Sequence, residues 1–417
     1  MSAKTDFLPI ILGSDENAYG CVRLIEEKYP DVRPLILCTR LLVPTMHSRL
    51  FDYETYENFD REEVFVPVLQ KVLESRAGCY GKLLVIPCSD YYSALVSKNI
   101  ASFGGLISNP IPDASLLSKF ETKDKFYALC EEFGVDYPET VVVTPDERAK
   151  AAGRLPFPFP IVVKPENSNA YEYLHLKFPE KKKVYFISSE DEYERVASAL
   201  DRNQYSGKLV IQRFIPGGDD SMRVVNSYSD SSGSVAVSCS GHVLLEEYAP
   251  YTLGNYAAII TEKGPGICEV VKRFLDRIGY RGFSNIDMKY DAATGKCFLF
   301  EINPRLGRSS YFVRASGINI MSEMIEDVVY ANRREQTLYS NKEAMWSNVP
   351  VSVLKKYAGS SVRDLIDRNS KDCIFTLLCK NDLSLKRLYR ITRFYNSHRK
   401  NYKLYYFDKN SRQFTFS

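Results

Sequence analysis

Short apolar runs alternating with helix-length amphipathic stretches open the chain. Leu8 to Leu12 is apolar and stops at Gly13; the polar Ser14 to Asn17 follows, and then Val22, Leu24 and Ile25 at helical spacing. That pattern predicts a strand, a turn and a helix. Apolar runs recur at Pro34 to Cys38 and Leu83 to Pro87, separated by helix-length segments, as expected for a parallel sheet covered by helices. Residues 1–115 are therefore read as an α/β domain. Asn109-Pro110-Ile111-Pro112 closes it, because each proline biases its predecessor away from helix. The single glycine after the first strand is not a dinucleotide fingerprint, which needs GxGxxG, and Ser14-Asp15-Glu16 would repel phosphate.

Beyond the connector, Leu116, Leu117, Phe120, Leu129, Cys130 and Phe133 recur at helical spacing up to Gly134, with Lys123 and Lys125 projecting. Strands are predicted at Phe159 to Lys164, Lys183 to Ile187 and Leu209 to Ile215. A capping box of Ser189 and Glu192 opens a helix to about Leu200. This is a small α+β lobe, bounded at 116–215. An antiparallel meander over Met222 to Tyr228, Val235 to Cys239 and Val243 to Glu246 opens the next region, 216–340. A helix from Pro265 to Ile278 follows, then strands Phe283 to Tyr290 and Lys296 to Asn303. Residues 341–417 form a last module, in which Lys386, Arg387, Arg390, Arg393, Arg399, Lys400 and Lys403 interleave with Tyr389, Phe394, Tyr395 and Tyr402. The fold class is multidomain, α/β followed by α+β.

Composition narrows the function. With 417 residues, 45% apolar, and 29 Tyr, 23 Phe and one Trp, there is material for several cores, and dominant disorder is excluded. Lys plus Arg (55) nearly balances Asp plus Glu (52), a net charge of +3, so nucleic acid is not the expected partner. No run approaches the ~18 apolar residues of a membrane span, and Met1 to Phe7 has no apolar signal core. A cytoplasmic protein is expected. The ten cysteines are scattered without CxxC, and the four histidines are dispersed, so buried thiols are expected and any metal must be held by carboxylates.

The strand holding Asp287 and the run Glu301-Ile302-Asn303-Pro304-Arg305 carry the strongest chemical signal. Alternation puts Phe298, Phe300 and Ile302 on one face and Leu299, Glu301 and Asn303 on the other. If the connection to the preceding strand sets the register accordingly, Asp287 joins Glu301 on that polar face. Three hard oxygen donors then suit magnesium. Arg305, stiffened by Pro304, can fork onto a carboxylate or a phosphoryl group, or instead pair with Glu301. Lys164 ends an apolar strand before Pro165 and suits a phosphate clamp. The strand reaching Ile215 ends in Pro216-Gly217-Gly218-Asp219, a turn whose backbone can pair with an adenine edge.

In this order and spacing, Lys125, Lys164, Gln212 to Ile215, Asp287 and Glu301 to Arg305 make the segment from about Ser118 to Ile320 resemble the ATP-grasp superfamily. The resemblance implies an N-terminal Rossmann-like pre-ATP-grasp domain and ATP held between two lobes. It implies Lys125 and Lys164 on the phosphates, Gln212, Arg213, Phe214 and Ile215 at adenine, and Asp219 or Asp220 at ribose. Magnesium would fall to Asp287, Glu301 and Asn303, with Arg305 and Lys164 catalytic. Asp15, Asn17, Asp90, Arg305, Arg308, Ser309 and Ser310 are the expected substrate contacts; Asp15, Asp90 and Glu246 are candidates for the base. Where many members carry a glycine-rich loop, this chain has Glu166-Asn-Ser-Asn-Ala-Tyr-Glu-Tyr-Leu-His175. That stretch, with Gly13 to Tyr19 and Lys181-Lys-Lys-Val-Tyr-Phe186, is similar to the D-aspartate ligase branch of carboxylate–amine ligases. It implies activation of a carboxylate by ATP and attack by an amine of a cell-wall precursor peptide. A ligase of small amino-acid metabolites, an idle nucleotide-binding module and a biotin-dependent carboxylase component are the alternatives; no biotin carrier segment accompanies the last. The basic C-terminal stretch is either a solvated helix face or a dock for an anionic partner, a nucleotide-linked precursor or a membrane surface. A homodimer is compatible with all of these readings.

Overall fold

β1 (Thr5–Leu12) runs parallel to β2 (Leu35–Cys38), β2 to β3 (Asp52–Thr55), and β1 on its other side to β4 (Tyr80–Pro87), giving the order β3-β2-β1-β4. The computed structural model describes residues 5–120, 122–166, 171–178, 181–182 and 184–407. Helices α1 (Glu16–Lys28), α2 (Glu62–Ala77) and α3 (Asp90–Lys98) complete this layer. The first strand reads as an unbroken apolar run because both its faces are covered: Ile11 joins one core with Ala18, Val22 and Ile25 of α1, while Ile10 and Leu12 join another with Phe65, Leu69 and Leu73 of α2. The edge strand β3 escaped the apolar pattern because its residues, Asp-Tyr-Glu-Thr, are mostly exposed, as charged edge strands are.

The chain divides into two units: in one, 118–217 with 288–301; in the other, the described residues up to 117 with 218–287 and 302 onward. In the former, α4 (Lys123–Glu132), β5 (Thr140–Val143), β6 (Ile161–Pro165), β7 (Tyr185–Ile187), α5 (Glu190–Arg202) and β8 (Leu209–Arg213) build an antiparallel sheet of order β5-β8-β6-β7. Ile161 and Val163 enter its core with Ile187, Tyr193, Leu200 and Ile211. Alternation along β6 therefore turns Lys164 to the other face. The ladder between β6 and β8 ends at Ile161 and Arg213, two residues short of the expected Ile215, ahead of Pro216.

A seven-stranded sheet holds β9 (Met222–Ser229), β10 (Val235–Glu246), β11 (Tyr256–Thr261), β12 (Gly282–Asp291), β13 (Lys296–Asn303), β14 (Leu338–Tyr339) and β15 (Met345–Ser347). Its order is β13-β12-β9-β10-β11-β15, with β14 on β10. The two strands expected at Val235 to Cys239 and Val243 to Glu246 are one continuous β10. Gly241 between them is not a turn but a close approach: a Cβ there would stand 2.4 Å from Ile259 Cγ2 and 2.9 Å from Phe312 Cε2. α6 (Gly266–Arg277) packs on β10 and β9, and α7 (Ile320–Tyr330) lies against α1.

The basic C-terminal stretch forms α8 (Leu385–Tyr405), which buries Arg387, Ile391, His398 and Tyr402. Arg387 is fully buried, 3.1 Å from Asp382, 3.0 Å from the Met46 carbonyl and over the Tyr19 ring, while Tyr19 donates to the same aspartate at 2.7 Å. This buried pair ties the last helix to α1, although Nε and Nη2 of Arg387 have no hydrogen-bond partner. Lys386, Arg390, Arg393, Arg399, Lys400 and Lys403 stay exposed. Among the described residues no helix is long and apolar enough to cross a membrane, and all ten cysteines are free thiols.

Candidate functional site

In the unit of 118–217 and 288–301, the polar residues gather around Glu301. Lys123, at the first turn of α4, donates to Glu301 Oε2 at 2.9 Å and to the Phe300 carbonyl at 2.9 Å. Its charge also acts on Lys164, whose ammonium is pushed down to about 7, first by desolvation and then by Lys123, with Glu301 pulling the other way. Lys125, singled out from the sequence, instead reaches the Ser118 carbonyl at 3.4 Å. Lys123 is the residue that the sequence left in the background: two lysines two positions apart at a helix start cannot be ranked before the helix phase is known.

Gln212 is buried, its amide donating to Tyr127 Oη and Thr140 Oγ1, both at 2.9 Å, and Tyr127 lies flat against Tyr137 at 5.1 Å. Arg213 pairs with Glu139 at 3.2 Å and lies over Phe298. Phe214 meets Phe186 edge to face and carries Lys289 over its ring, while Ile215 is buried. Of the loop expected to cover phosphate, residues 167–170 lie outside the described residues, as does Lys183.

In the other unit, Asp287 of β12 and Asn303 of β13 form one cluster. Asn303 Nδ2 stands 3.3 Å from Asp287 Oδ2, and Tyr256 donates to Asp287 Oδ1 at 2.9 Å. Strand alternation keeps Glu301, two residues before Asn303, on the same side of β13. Arg305 follows at once, donating to Asp90 at 2.8 Å and standing 3.4 Å from Asn303 Oδ1, so its fork is held by the first residue of α3. Gly307 leaves room for this packing: a Cβ would meet Asn285 Oδ1 at 2.9 Å and Arg305 Nη1 at 3.4 Å, so both side chains would have to shift.

The turn after β1 lies in that same unit. Asp15 caps α1 by accepting from Ala18 N at 3.1 Å, and burial, reinforced by the neighbouring Glu16, pushes its carboxyl up to about 6. Asn17 donates to the carbonyls of Cys88 at 3.2 Å and Leu306 at 2.5 Å, which ties the α1 turn to the segment after Arg305. Ser310 hydroxyl bonds Asn226 Oδ1 and Gly307 N at 2.6 Å, and Ser309 is buried beside it. Arg308 lies between Glu16 and Glu247, at 3.9 and 3.8 Å. Asp219 holds the end of β10 through Glu246 N and Tyr248 Oη, both at 2.9 Å, and Asp220 accepts from Ser361. Asn17, Ser310 and Asp219 thus already serve the fold. Glu246, a base candidate, is buried.

No family model matches the chain. An N5-carboxyaminoimidazole synthetase from Staphylococcus aureus, solved with ADP, matches with a TM-score of 0.59 at 12% identity over 84% of each chain. An L-amino acid ligase from Bacillus licheniformis matches with a TM-score of 0.54 at 14% identity, over 80% of this chain and 76% of that one. The fold is therefore that of the ATP-grasp enzymes, the class the sequence resembled. The D-aspartate ligase of Enterococcus faecium (strain Aus0004) is 33% identical over 411 residues, 96% of this chain and 97% of that protein. The chain belongs to the D-aspartate ligase family, and it is an ATP-dependent carboxylate–amine ligase.

Proposed function

We propose that this chain joins the β-carboxylate of D-aspartate, or of a similar amino acid, to an amine of a peptidoglycan precursor peptide, using ATP and Mg2+. The observation that carries the reading is the likeness to a D-aspartate ligase along nearly the whole of both chains. A carboxylate and an ammonium do not condense in water at useful rates, so the acid must be activated. A carboxylate oxygen attacks the γ-phosphorus, ADP leaves, and the neutral amine then attacks the acyl carbon, expelling phosphate and giving up a proton.

The residues fit those demands. Lys123 and Lys164 supply cations for phosphate, and Arg305, aligned by Asp90, supplies a planar fork for charge developing on the transferring oxygens. Asp287, Glu301 and Asn303 are hard oxygen donors of the kind magnesium takes, and the ion, when bound, neutralises phosphate charge. The segment 212–215 remains our assignment for adenine. ADP release on addition of D-aspartate and a lysine-containing precursor peptide, and no release with L-aspartate, is the expected result. Release that ignores the amino acid offered would contradict the reading.

Lys164 gives the site a pH signature. Its ordinary value is 10.5 and its value in the fold is about 7, so at pH 8.5 the free protein holds it mostly neutral. A phosphate beside it favours the charged form, and nucleotide binding should then draw a proton from solution. Calorimetry in buffers of different ionisation enthalpy should show uptake rising from pH 7 towards 8.5 and nucleotide affinity falling over the same range. Lys164→Arg, always charged, should remove the uptake; uptake unchanged in that variant would place the proton elsewhere.

A further inference from the structure

Arg308 is held in an unusual way. Its two terminal nitrogens face different carboxylates, Nη1 toward Glu16 at 3.9 Å and Nη2 toward Glu247 Oε2 at 3.8 Å, both beyond hydrogen-bond reach. Glu16 is 7% exposed and Glu247 3%, so bulk solvent barely reaches them. Glu247 Oε2 is buried with no hydrogen-bond partner. So is Oδ1 of Asn348, whose side chain stands beside both carboxylates. Nε2 of His398, on α8, is a further buried nitrogen without a partner, and desolvation and the Arg308 charge keep that ring neutral.

Two carboxylates share one guanidinium, and burial pushes both carboxyls up; Thr252 and Asn348 bond the Glu247 side chain, yet Glu247 Oε2 and Asn348 Oδ1 both lack a donor. Burying such groups unsatisfied costs stability, about 1–3 kcal/mol for each neutral polar atom and more for a charged one. A fold that only needed packing would place apolar residues there. The group that would complete the set carries a positive charge and several hydrogens in a small volume.

We propose that Glu247, Glu16 and Asn348 form a binding site for a primary ammonium group of a substrate, with Arg308 as the cation that holds the pair of carboxylates apart until the ammonium arrives. This rests on the ligase reading and deepens it. That chemistry has two sources in the reaction, the α-ammonium of the amino acid and the amine of the acceptor, and binding measurements distinguish them.

Calorimetry would compare D-aspartate with succinate, and Nα-acetyl-lysine amide with its norleucine counterpart, on the wild type and on Glu247→Gln. The isosteric amide keeps the shape and removes the charge. For one of the two pairs, the variant should bind the amine-bearing member about 10- to 100-fold more weakly and its amine-free counterpart unchanged, since a hydrogen bond to a charged group contributes about 1.5–3 kcal/mol. Loss in the first pair assigns the site to the acid, loss in the second to the acceptor. Asn348→Ala should weaken the same pair in the same direction. ATP affinity and melting temperature should not fall in Glu247→Gln, as a burial-strained carboxylate has been neutralised. Equal weakening of both members of a pair, or no change in either pair, would overturn the proposal while leaving D-aspartate-dependent ADP release in the wild type intact. Absence of that release in the wild type would instead count against the ligase substrate.

Discussion

Glu301→Gln is expected to lower the rate of ADP formation by about 10³-fold, because charge stabilisation in a closed site is the largest single contribution to such reactions. Glu301 lies near the end of β13 beside Lys123 and bears on Lys164, so it acts on two cations, and in the proposed reading it also offers an oxygen to a divalent ion. The amide replacement keeps length and can still accept from Lys123, but it removes the charge that favours protonation of Lys164. Nucleotide binding, which we assign to Lys123, Lys164 and segment 212–215, should survive in weakened form. The measurement is ADP release alongside calorimetric nucleotide binding. Turnover near that of the wild type would show that Glu301 serves only its ion pair with Lys123.

Arg305→Ala should cost about 10²- to 10³-fold in kcat with a smaller change in the KM for ATP, since its fork is suited to charge that grows during transfer. Asp90 and Asn303 fix the guanidinium from two sides, and Gly307 leaves it room. A lysine at 305 supplies a point charge without the fork and should recover little. Asp90→Asn, which keeps a hydrogen-bond acceptor, should fall between wild type and Arg305→Ala. If Arg305→Lys restores full activity, a cation is all that the position requires.

Much of this architecture could be read from local pattern. Leu8 to Leu12 and Leu83 to Pro87 announced buried parallel strands because both faces of that sheet are covered, and Lys296 to Asn303 was bounded correctly because the short apolar run from Cys297 to Phe300 follows the turn at Gly295. The expected break between Val235–Cys239 and Val243–Glu246 is absent because Gly241 lets Ile259 and Phe312 come close to a continuous strand. The polar strand β3 carries no hydrophobic signal at all. Asp287, Glu301, Asn303 and Arg305, the proposed site residues, lie within a short stretch of sequence and could be singled out together. Of the set Glu16, Glu247, Arg308, Asn348 and His398 only Arg308 was named from the sequence as a substrate contact, because the members are drawn from five separate parts of the chain. Lys123 lies between these cases: its residue type was visible, but its direction depended on the phase of α4.

Oxygen tracing tests the central claim most directly. With D-aspartate labelled by 18O in its β-carboxylate, ATP and a lysine-containing precursor peptide, activation through an acyl phosphate moves one carboxylate oxygen onto phosphorus, and the attacking amine leaves it there. The phosphate released should carry one labelled oxygen for each amide bond formed, read by mass spectrometry. Phosphate without label, at a rate matching ADP, would mean that water rather than the carboxylate attacks ATP, and the ligase mechanism proposed for this chain would be wrong.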